Sequence, residues 1–237
     1  MATVTLGVTT ASTSNATSYA AGAFTPSAGD VLIALISSSD TVHTSWTNGG
    51  SVTDDQGGVW DKIVSRSYSS SAHSMSAWLR RGKAAAASTI VTFDCTGDAA
   101  SGAAITVFRI ASAEPIVRGY AHASGAASST PSVTMPQAVL TGNPVVGVVG
   151  NNTNPAGITE PASWTESSDT GYTGPTSGHE ACFRNSGETN TTISWGSTSA
   201  SAHGEIVVEI YNGGTGPEMT MDHSPSSGFF GVQGGPG

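Results

Sequence analysis

The sequence predicts an all-β protein: a jelly-roll-like β-sandwich of two quasi-repeated halves, followed by an extended C-terminal arm. Only 11% of residues are charged and Gly is abundant, and the many small and β-branched residues favour strands and turns over helices. Two apolar stretches, residues 29–36 and 142–149, each begin at a turn pair and are too short to span a membrane. The segments that follow the first stretch recur in the same order after the second.

The chain has 237 residues, enough for one large sandwich or two small domains with a buried core. We assign residues 1–212 to the sandwich, with quasi-repeats at about 2–112 and 113–212. Two such halves can each contribute strands to both sheets of one sandwich. Residues 213–237 form a Gly/Pro-rich arm.

The first half begins with an alternating strand at residues 2–8, a Ser/Thr-rich loop at 9–18 and a short strand at 19–24. The central strand at 29–36 is apolar on both faces, because side chains alternate along a strand. It therefore needs cover on both sides: a core beneath, and loops or a partner molecule above.

Further strands are predicted downstream in the first half. Residues 51–64 are predicted to form a strand, a turn and a strand, with Asp55-Gln56-Gly57-Gly58 supplying the positive-φ positions of a hairpin. The later strands lie at residues 73–80, 89–93 and 104–110. The matching segments of the second half are residues 142–149, 163–166, 179–184, 192–195 and 205–211.

The charge balance excludes some classes of partner. A formal net charge of -9 argues against a nucleic-acid backbone and against an anionic membrane, since both select for Lys/Arg surfaces. The N-terminus has neither the basic nor the apolar region of a secretory signal peptide, and we expect Cys95 and Cys182 to be small buried hydrophobic residues rather than a disulfide. An extracellular-looking surface without an export signal is typical of virion proteins, which are made in the host cytoplasm.

No catalytic or metal-binding motif stands out. The sequence has no Gly-x-Ser-x-Gly elbow, no His-Glu-x-x-His and no phosphate-binding loop. The histidines are scattered without ligand spacing: His43, His73, His122, His179, His203 and His223. We expect His73 and His179 to occupy matching strand starts as a result of duplication, and we predict no cofactor.

The acidic residues suggest two weaker interpretations. Asp54 and Asp55 can contribute to a calcium site, although Asp before Gly-Gly is ordinary turn chemistry, which we favour. A glycosidase-type carboxylate pair would have to come from a small set whose spacing the sequence does not determine. That set is Asp54, Asp55, Asp61, Glu160, Glu166 and Asp169.

The tryptophans divide into two groups. Trp60, Trp164 and Trp195 occupy positions where a core residue is expected. Trp78 faces outward or into a second layer, and Trp46 lies in a polar loop, so these two are the candidates for contact with a glycan or a protein partner.

The arm carries apolar residues among Gly, Pro and Ser. These are Met219, Met221, Phe229, Phe230 and Val232. A disordered tail is one interpretation, and an arm that docks on a neighbouring subunit is the other, because a purely solvated tail has little reason to contain adjacent phenylalanines.

Residues 29–36, the stretch Val52-Thr-Asp-Asp-Gln-Gly-Gly-Val-Trp60, and residues 76–80 and 89–93 together carry a resemblance. They resemble a β-sandwich module found in bacteriophage virion proteins and bacterial surface proteins, in which a Val-Thr-Asp-x-x-Gly-x-x-(Trp/Tyr) hairpin recurs. The resemblance spans about residues 2–212 and carries over no catalytic residues.

The resemblance implies a non-enzymatic structural protein on the virion surface, a capsid decoration or head protein. Its partners would be the major capsid protein or further copies of itself in a homo-oligomer. One alternative is a tail or adhesin domain that recognises a host glycan through Trp46 or Trp78. Another is a secreted polysaccharide-active enzyme or carbohydrate-binding module, which the missing signal peptide and acid/base pair disfavour.

Overall fold

The computed structural model describes residues 1–40, 50–70, 72–95, 99–153, 157–197 and 200–212. These residues form β-strands joined by turns and loops, so the predicted all-β sandwich is confirmed. Within the described ranges, no helix is long and apolar enough to cross a bilayer. The predicted arm at 213–237 lies outside the described residues.

Strands β1 to β8 belong to the first half. They are β1 (Thr3–Ser12), β2 (Ser18–Ala20), β3 (Val31–Ser39), β4 (Ser51–Asp54), β5 (Trp60–Tyr68), β6 (His73–Arg80), β7 (Val91–Asp94) and β8 (Gly102–Ala111). Strands β9 to β17 belong to the second half. They are β9 (Val117–Ser128), β10 (Ser132–Thr134), β11 (Val145–Asn151), β12 (Ile158–Thr159), β13 (Thr165–Tyr172), β14 (Ser177–Arg184), β15 (Thr192–Ser194), β16 (Gly196–Ser197) and β17 (Ser201–Ile210).

Each half builds its own five-stranded antiparallel sheet, ordered β1-β8-β3-β6-β5 in the first half and β9-β17-β11-β14-β13 in the second. The two orders are the same, strand for strand. Small sheets complete the halves: β2-β7-β4 in the first, and β10-β15 with β12-β16 in the second. In the first half β1 pairs with β8, β2 with β7 and β3 with β6, which is the nested pairing of a jelly roll. The halves therefore do not share strands, contrary to the arrangement that the sequence left open.

The registers of the two large sheets also agree. A bulge interrupts β5 between Lys62 and Val64, and the matching bulge interrupts β13 between Glu166 and Ser168. When the two bulges are aligned, each residue of β6 has an equivalent residue in β14. Ala77 corresponds to Ala181, Trp78 to Cys182 and Arg80 to Arg184. Because β-bulges are characteristic of a fold, finding one at the same position in both halves supports two copies of one structural unit.

The chain forms four layers around three apolar clusters. The two five-stranded sheets face each other over a shared core to which both halves contribute, for example Ile33 and Phe108 from one and Val146 and Val208 from the other. The outer face of the first sheet packs under the small sheet β2-β7-β4. The outer face of the second packs under β10-β15.

Both faces of the central strand β3 are covered by the chain itself. Its residues Val31, Ile33 and Leu35 belong to the shared core. Its residues Leu32, Ala34 and Ile36 belong to the cluster beneath the small sheet. All are at most 1% exposed, so this strand needs no partner molecule to cover it.

Strand β9 is the main element that the sequence did not predict. It is an edge strand rich in Ala, Ser and Gly, and it pairs with β17 along almost its whole length. Strand β1 extends to Ser12, into the predicted loop at 9–18, because it pairs with β8 as far as Ala103. In both cases a neighbouring strand determines the conformation of a segment with weak β-propensity.

Candidate functional site

The basic residues are engaged within the protein. All eight Lys and Arg residues of the sequence lie in the described ranges, and six form ion pairs. These are Arg80–Asp54, Arg81–Asp61, Lys83–Glu114, Arg109–Asp30, Arg118–Glu209 and Arg184–Glu188. The ammonium of Lys62 lies 5.0 Å from the centre of the Trp78 ring, and Arg66 Nε donates to Ser124 Oγ at 2.9 Å. The cations are therefore dispersed and engaged in contacts within the chain.

The first half contains a buried tryptophan, carboxylate and arginine cluster. Trp60 Nε1 donates to Asp54 Oδ2 at 2.9 Å, and Arg80 Nε donates to the same oxygen at 2.8 Å. The other oxygen of Asp54 accepts the backbone N–H groups of Gln56 and Gly58. Burial alone would raise the pKa of Asp54, but these hydrogen bonds and the Arg80 charge hold it below its usual value. Oδ1 thus serves the turn and Oδ2 serves Trp60 and Arg80, which supports the turn interpretation over a calcium site.

The second half repeats this cluster with a carboxylate from another place in the chain. Trp164 Nε1 donates to Glu188 Oε2 at 2.8 Å, and Arg184 Nη1 donates to it at 3.1 Å. Glu188 Oε1 accepts the backbone N–H groups of Thr189 and Asn190. Burial alone would raise the pKa of Glu188, but the net effect of these partners is to lower it. The tryptophan and arginine are equivalent in the two halves, whereas Glu188 follows β14 and Asp54 ends β4.

A cleft with a volume of about 160 Å³ lies beside the second cluster. Its lining is Pro161, Ala162, Trp164, Glu188, Asn190, Thr192, Ile193 and Ser194. Both oxygens of its one carboxylate already accept hydrogen bonds, and the lowered pKa keeps this group ionised. Glu188 is therefore not suited to be a general acid, which would need a raised pKa and a reachable proton.

Two buried histidines lie at the seam between the large sheets. His179 Nδ1 is 2.8 Å from Ser37 Oγ, and His179 Nε2 is 2.9 Å from Thr106 Oγ1. His73 Nδ1 is 2.6 Å from Ser39 Oγ. Burial lowers the pKa of His179 to about 3 and that of His73 to about 4, so both rings are neutral near pH 7.

The contact of Ser37 with His179 has the residue types of a nucleophile and its base, but not the surroundings. Both side chains are 0% exposed, so a substrate cannot reach the hydroxyl. The second ring nitrogen contacts the hydroxyl of Thr106 instead of a carboxylate that would orient the ring. These buried hydrogen bonds link His179 of the second half to Ser37 and Thr106 of the first half.

The prediction that His73 and His179 occupy matching positions is wrong. Tyr68 pairs with His73 as Tyr172 pairs with Ser177, so the counterpart of His73 is Ser177. By the same register the counterpart of His179 is Met75. The match of Ala77–Arg80 with Ala181–Arg184 is correct. His179, however, lies two residues after Ser177, the true counterpart of His73.

Tyrosines cross the seam in both directions. A Cβ atom added at Gly102 of the first half would lie 2.4 Å from the ring of Tyr172, whose hydroxyl is 2.6 Å from Ser39 Oγ. A Cβ atom added at Gly204 of the second half would lie 2.8 Å from the ring of Tyr68. Each half thus inserts the equivalent tyrosine against a glycine of the other half.

One acidic cluster differs from these satisfied groups. Glu180 of β14 is fully buried, and neither of its carboxylate oxygens accepts a hydrogen bond from any residue that the structure describes. It lies directly opposite Asp169 of β13, whose Oδ1 is likewise buried and has no hydrogen-bond partner within the described ranges. Burial first, and then the charges of Asp169, Glu166 and Glu160, raise the pKa of Glu180 to about 8. We call these four residues the acidic cluster.

The cluster does not resemble an assembled metal site. In the described part of the chain, no group of three or more His, Cys, Asp or Glu side chains is arranged to hold a metal ion. The cluster includes three of the carboxylates considered for a glycosidase pair: Glu160, Glu166 and Asp169. Glu180 was missed, although comparison of the two halves would have revealed it as a Glu where the first half carries Ser76.

The other predicted site residues have clear outcomes. Trp78 is 4% exposed and belongs to the cluster beneath β2-β7-β4, so it faces the second layer and offers no open ring to a glycan. Trp46 lies outside the described residues. So do the predicted interface residues Met219, Met221, Phe229, Phe230 and Val232.

The predicted core residues are buried. Trp60, Trp164 and Trp195 are at most 7% exposed, as predicted. Cys95 and Cys182 are buried free thiols, which confirms their prediction as small hydrophobic residues.

Comparison of the chain with protein-family models finds no match, and comparison with curated proteins finds none either.

Proposed function

We propose that the protein is a non-enzymatic structural protein of a bacteriophage virion, a capsid decoration or head protein exposed on the particle surface. The observation that carries the proposal is that the polar and charged side chains described above make contacts within the protein. Ion pairs, histidines and tryptophan N–H groups fix one jelly roll to itself or to the other, and jelly rolls are a common architecture of viral capsid domains.

The charge distribution supports an exposed, densely repeated subunit. Six of the eight basic residues form internal ion pairs in the described structure, and the formal net charge of the chain is -9. A net negative charge and a surface of small polar residues favour solubility at high local concentration.

The contacts with neighbouring subunits would not use the faces of the large sheets, because the chain covers these faces itself. Edges, loops and the arm at 213–237 remain. We propose that the arm binds a neighbouring subunit, either the major capsid protein or another copy of this chain, through Phe229 and Phe230.

The test uses purified phage particles assembled with the full-length protein or with arm variants. A Phe229→Ser/Phe230→Ser variant should be incorporated at least about tenfold less, since two buried aromatic anchors each contribute several kcal/mol. A Ser226→Ala/Ser227→Ala variant of the same arm is the matched control and should assemble normally. Wild-type protein that is absent from purified particles, or equal incorporation of both variants, would refute the proposal.

A glycan array separates this function from the adhesin alternative. Trp46→Ala is the informative variant, because Trp78 is a buried core residue whose loss would destabilise the fold. Specific glycan binding that depends on Trp46 would favour the adhesin.

A further inference from the structure

The acidic cluster exists in one half only. Counting from the matched bulges makes Asp169 equivalent to Ser65 and Glu180 equivalent to Ser76. The same register makes Glu166 equivalent to Lys62, which lies over the ring of Trp78. In the first half these positions hold one cation and two hydroxyls, and Ser76 accepts the N–H of Trp78 at 2.9 Å. Duplication therefore supplies a reference state in which this site carries no acid.

The titratable groups that act on Glu180 in the described part of the chain are carboxylates and one thiol. Asp169 and Glu166 come from β13, Glu160 precedes that strand, and Cys182 follows on β14 itself. Across Val149 of β11, strand β17 presents Glu205, which is already paired with His203. Strand β12 packs beside β14 with Ile158 and Thr159, neither of which titrates near neutral pH.

An ionised carboxylate in such a place would be unstable. Burying a charge without a partner costs far more than burying a neutral carboxylic acid, so the group either gains a proton or gains a counter-ion. The described residues bring no Lys or Arg into this cluster and assemble no metal site.

We propose that Glu180 is a proton-binding switch of the second half: the folded protein holds its carboxyl group protonated at neutral pH, and ionisation under alkaline conditions loosens the sheet edge formed by β13 and β14. The first half, with Ser76 at the equivalent position, has no such switch. The pH dependence is thus built into one copy of a duplicated unit.

The sign of the effect follows from linkage. The pKa of Glu180 is raised to about 8 in the folded protein, so between the ordinary carboxyl pKa and about 8 the folded state binds one more proton than the unfolded state. Stability therefore falls as pH rises through this window and levels off above it. The unfolding equilibrium constant should increase about 50-fold between pH 6 and pH 8 because of this one group.

The experiment is urea unfolding of the full chain at closely spaced pH values from 5 to 9. Glu180→Gln keeps the shape but cannot titrate, so its unfolding constant should lack the 50-fold increase. Glu188→Gln is the matched control, because Glu188 is equally buried in the same half but fully paired; it should be less stable throughout and keep the increase.

A second measurement does not depend on whether the variants fold. NMR of wild-type protein labelled with ¹³C at the glutamate carboxyl carbons should show one resonance, absent from Glu180→Gln spectra or assigned through the backbone, that titrates near pH 8. After correction for the base-catalysed intrinsic rate, the amide protection factors in β13 should fall over the same range, while those in β5 should fall less. The proposal is overturned if Glu180 titrates near pH 4, if Glu180→Gln keeps the wild-type pH dependence, or if calcium at pH 7 stabilises wild type and not Glu180→Gln.

Discussion

Replacing the seam histidines by the residues of the sister half should make the protein more tolerant of acid. His179→Met and His73→Ser introduce the residues that the register places at the equivalent positions, Met75 and Ser177. Both histidines are neutral in the folded protein, with the pKa of His179 lowered to about 3 and that of His73 to about 4 by burial. The unfolded chain takes up a proton at each site below about pH 6.5.

The magnitude follows from these values. For a group with a depressed pKa in the folded state, stability is complete above the unfolded pKa and is lost as pH falls, at roughly 1.4 kcal/mol per pH unit. Lowering the pH from 7 to 4 should reduce the free energy of unfolding by about 3 kcal/mol for each histidine. The sum of about 6 kcal/mol is within the total stability of an ordinary domain, so acid unfolding should begin near this pH.

The assay is urea unfolding at pH 7, 5.5 and 4. His179→Met should lose stability at pH 7, because the hydroxyls of Ser37 and Thr106 lose a buried partner at about 1–3 kcal/mol each. Its further loss on acidification should be about 3 kcal/mol smaller than that of wild type. His122→Gln is the control, since this histidine lies on the exposed edge strand β9; its pKa is lowered by partial burial and by the charge of Arg66. Equal acid slopes for His179→Met and wild type would refute the reasoning.

Three further predictions concern packing and pairing. Gly102→Ala should cost about 1–3 kcal/mol in chemical unfolding, because the new methyl group would overlap the ring of Tyr172, whereas Gly142→Ala, which meets only one atom at 3.8 Å, should be nearly neutral. Asp54→Asn should cost about 3 kcal/mol because it breaks a buried ion pair, and a thermal melt within 2 °C of wild type would contradict this. Trp78→Ala should lower stability by about 3–5 kcal/mol, which near-UV circular dichroism and urea unfolding would detect, and unaltered unfolding would contradict its core position.

Much of the first half could be predicted because its signals are local. The alternation at residues 73–80 predicts β6 with the observed bounds. The Asp-rich turn between β4 and β5 is also predicted, but the prediction that it closes a hairpin is wrong, because β4 pairs with β7 and β5 pairs with β6. Between these two described strands there is only an isolated bridge, from Thr53 to Val59. Strand β9 could not be predicted in this way. Its Ala, Ser and Gly residues carry little β-propensity, and it is a strand because β17 offers it a complete row of backbone partners.

The candidate site was less predictable, because burial and pairing are properties of the tertiary structure. Glu180 is separated from Glu166 and Asp169 in sequence, and only the register of β13 and β14 makes them neighbours. The equivalence of Glu188 and Asp54 is also hidden, since the two carboxylates come from different connections. The sequence does contain a signal for Glu180: aligning the shared Ala-x-apolar-Arg runs places it at the position of Ser76, and the bulges confirm that alignment.

The reciprocal tyrosines have a consequence for the segment between β8 and β9. Since Tyr68 and Tyr172 each lodge in the opposite half, recognition between the halves is encoded in their surfaces, and the connecting peptide mainly raises their effective concentration. A chain cut at this junction would therefore behave as two complementary fragments, and the intact molecule corresponds to a pseudo-symmetric dimer made permanent by a single covalent bridge.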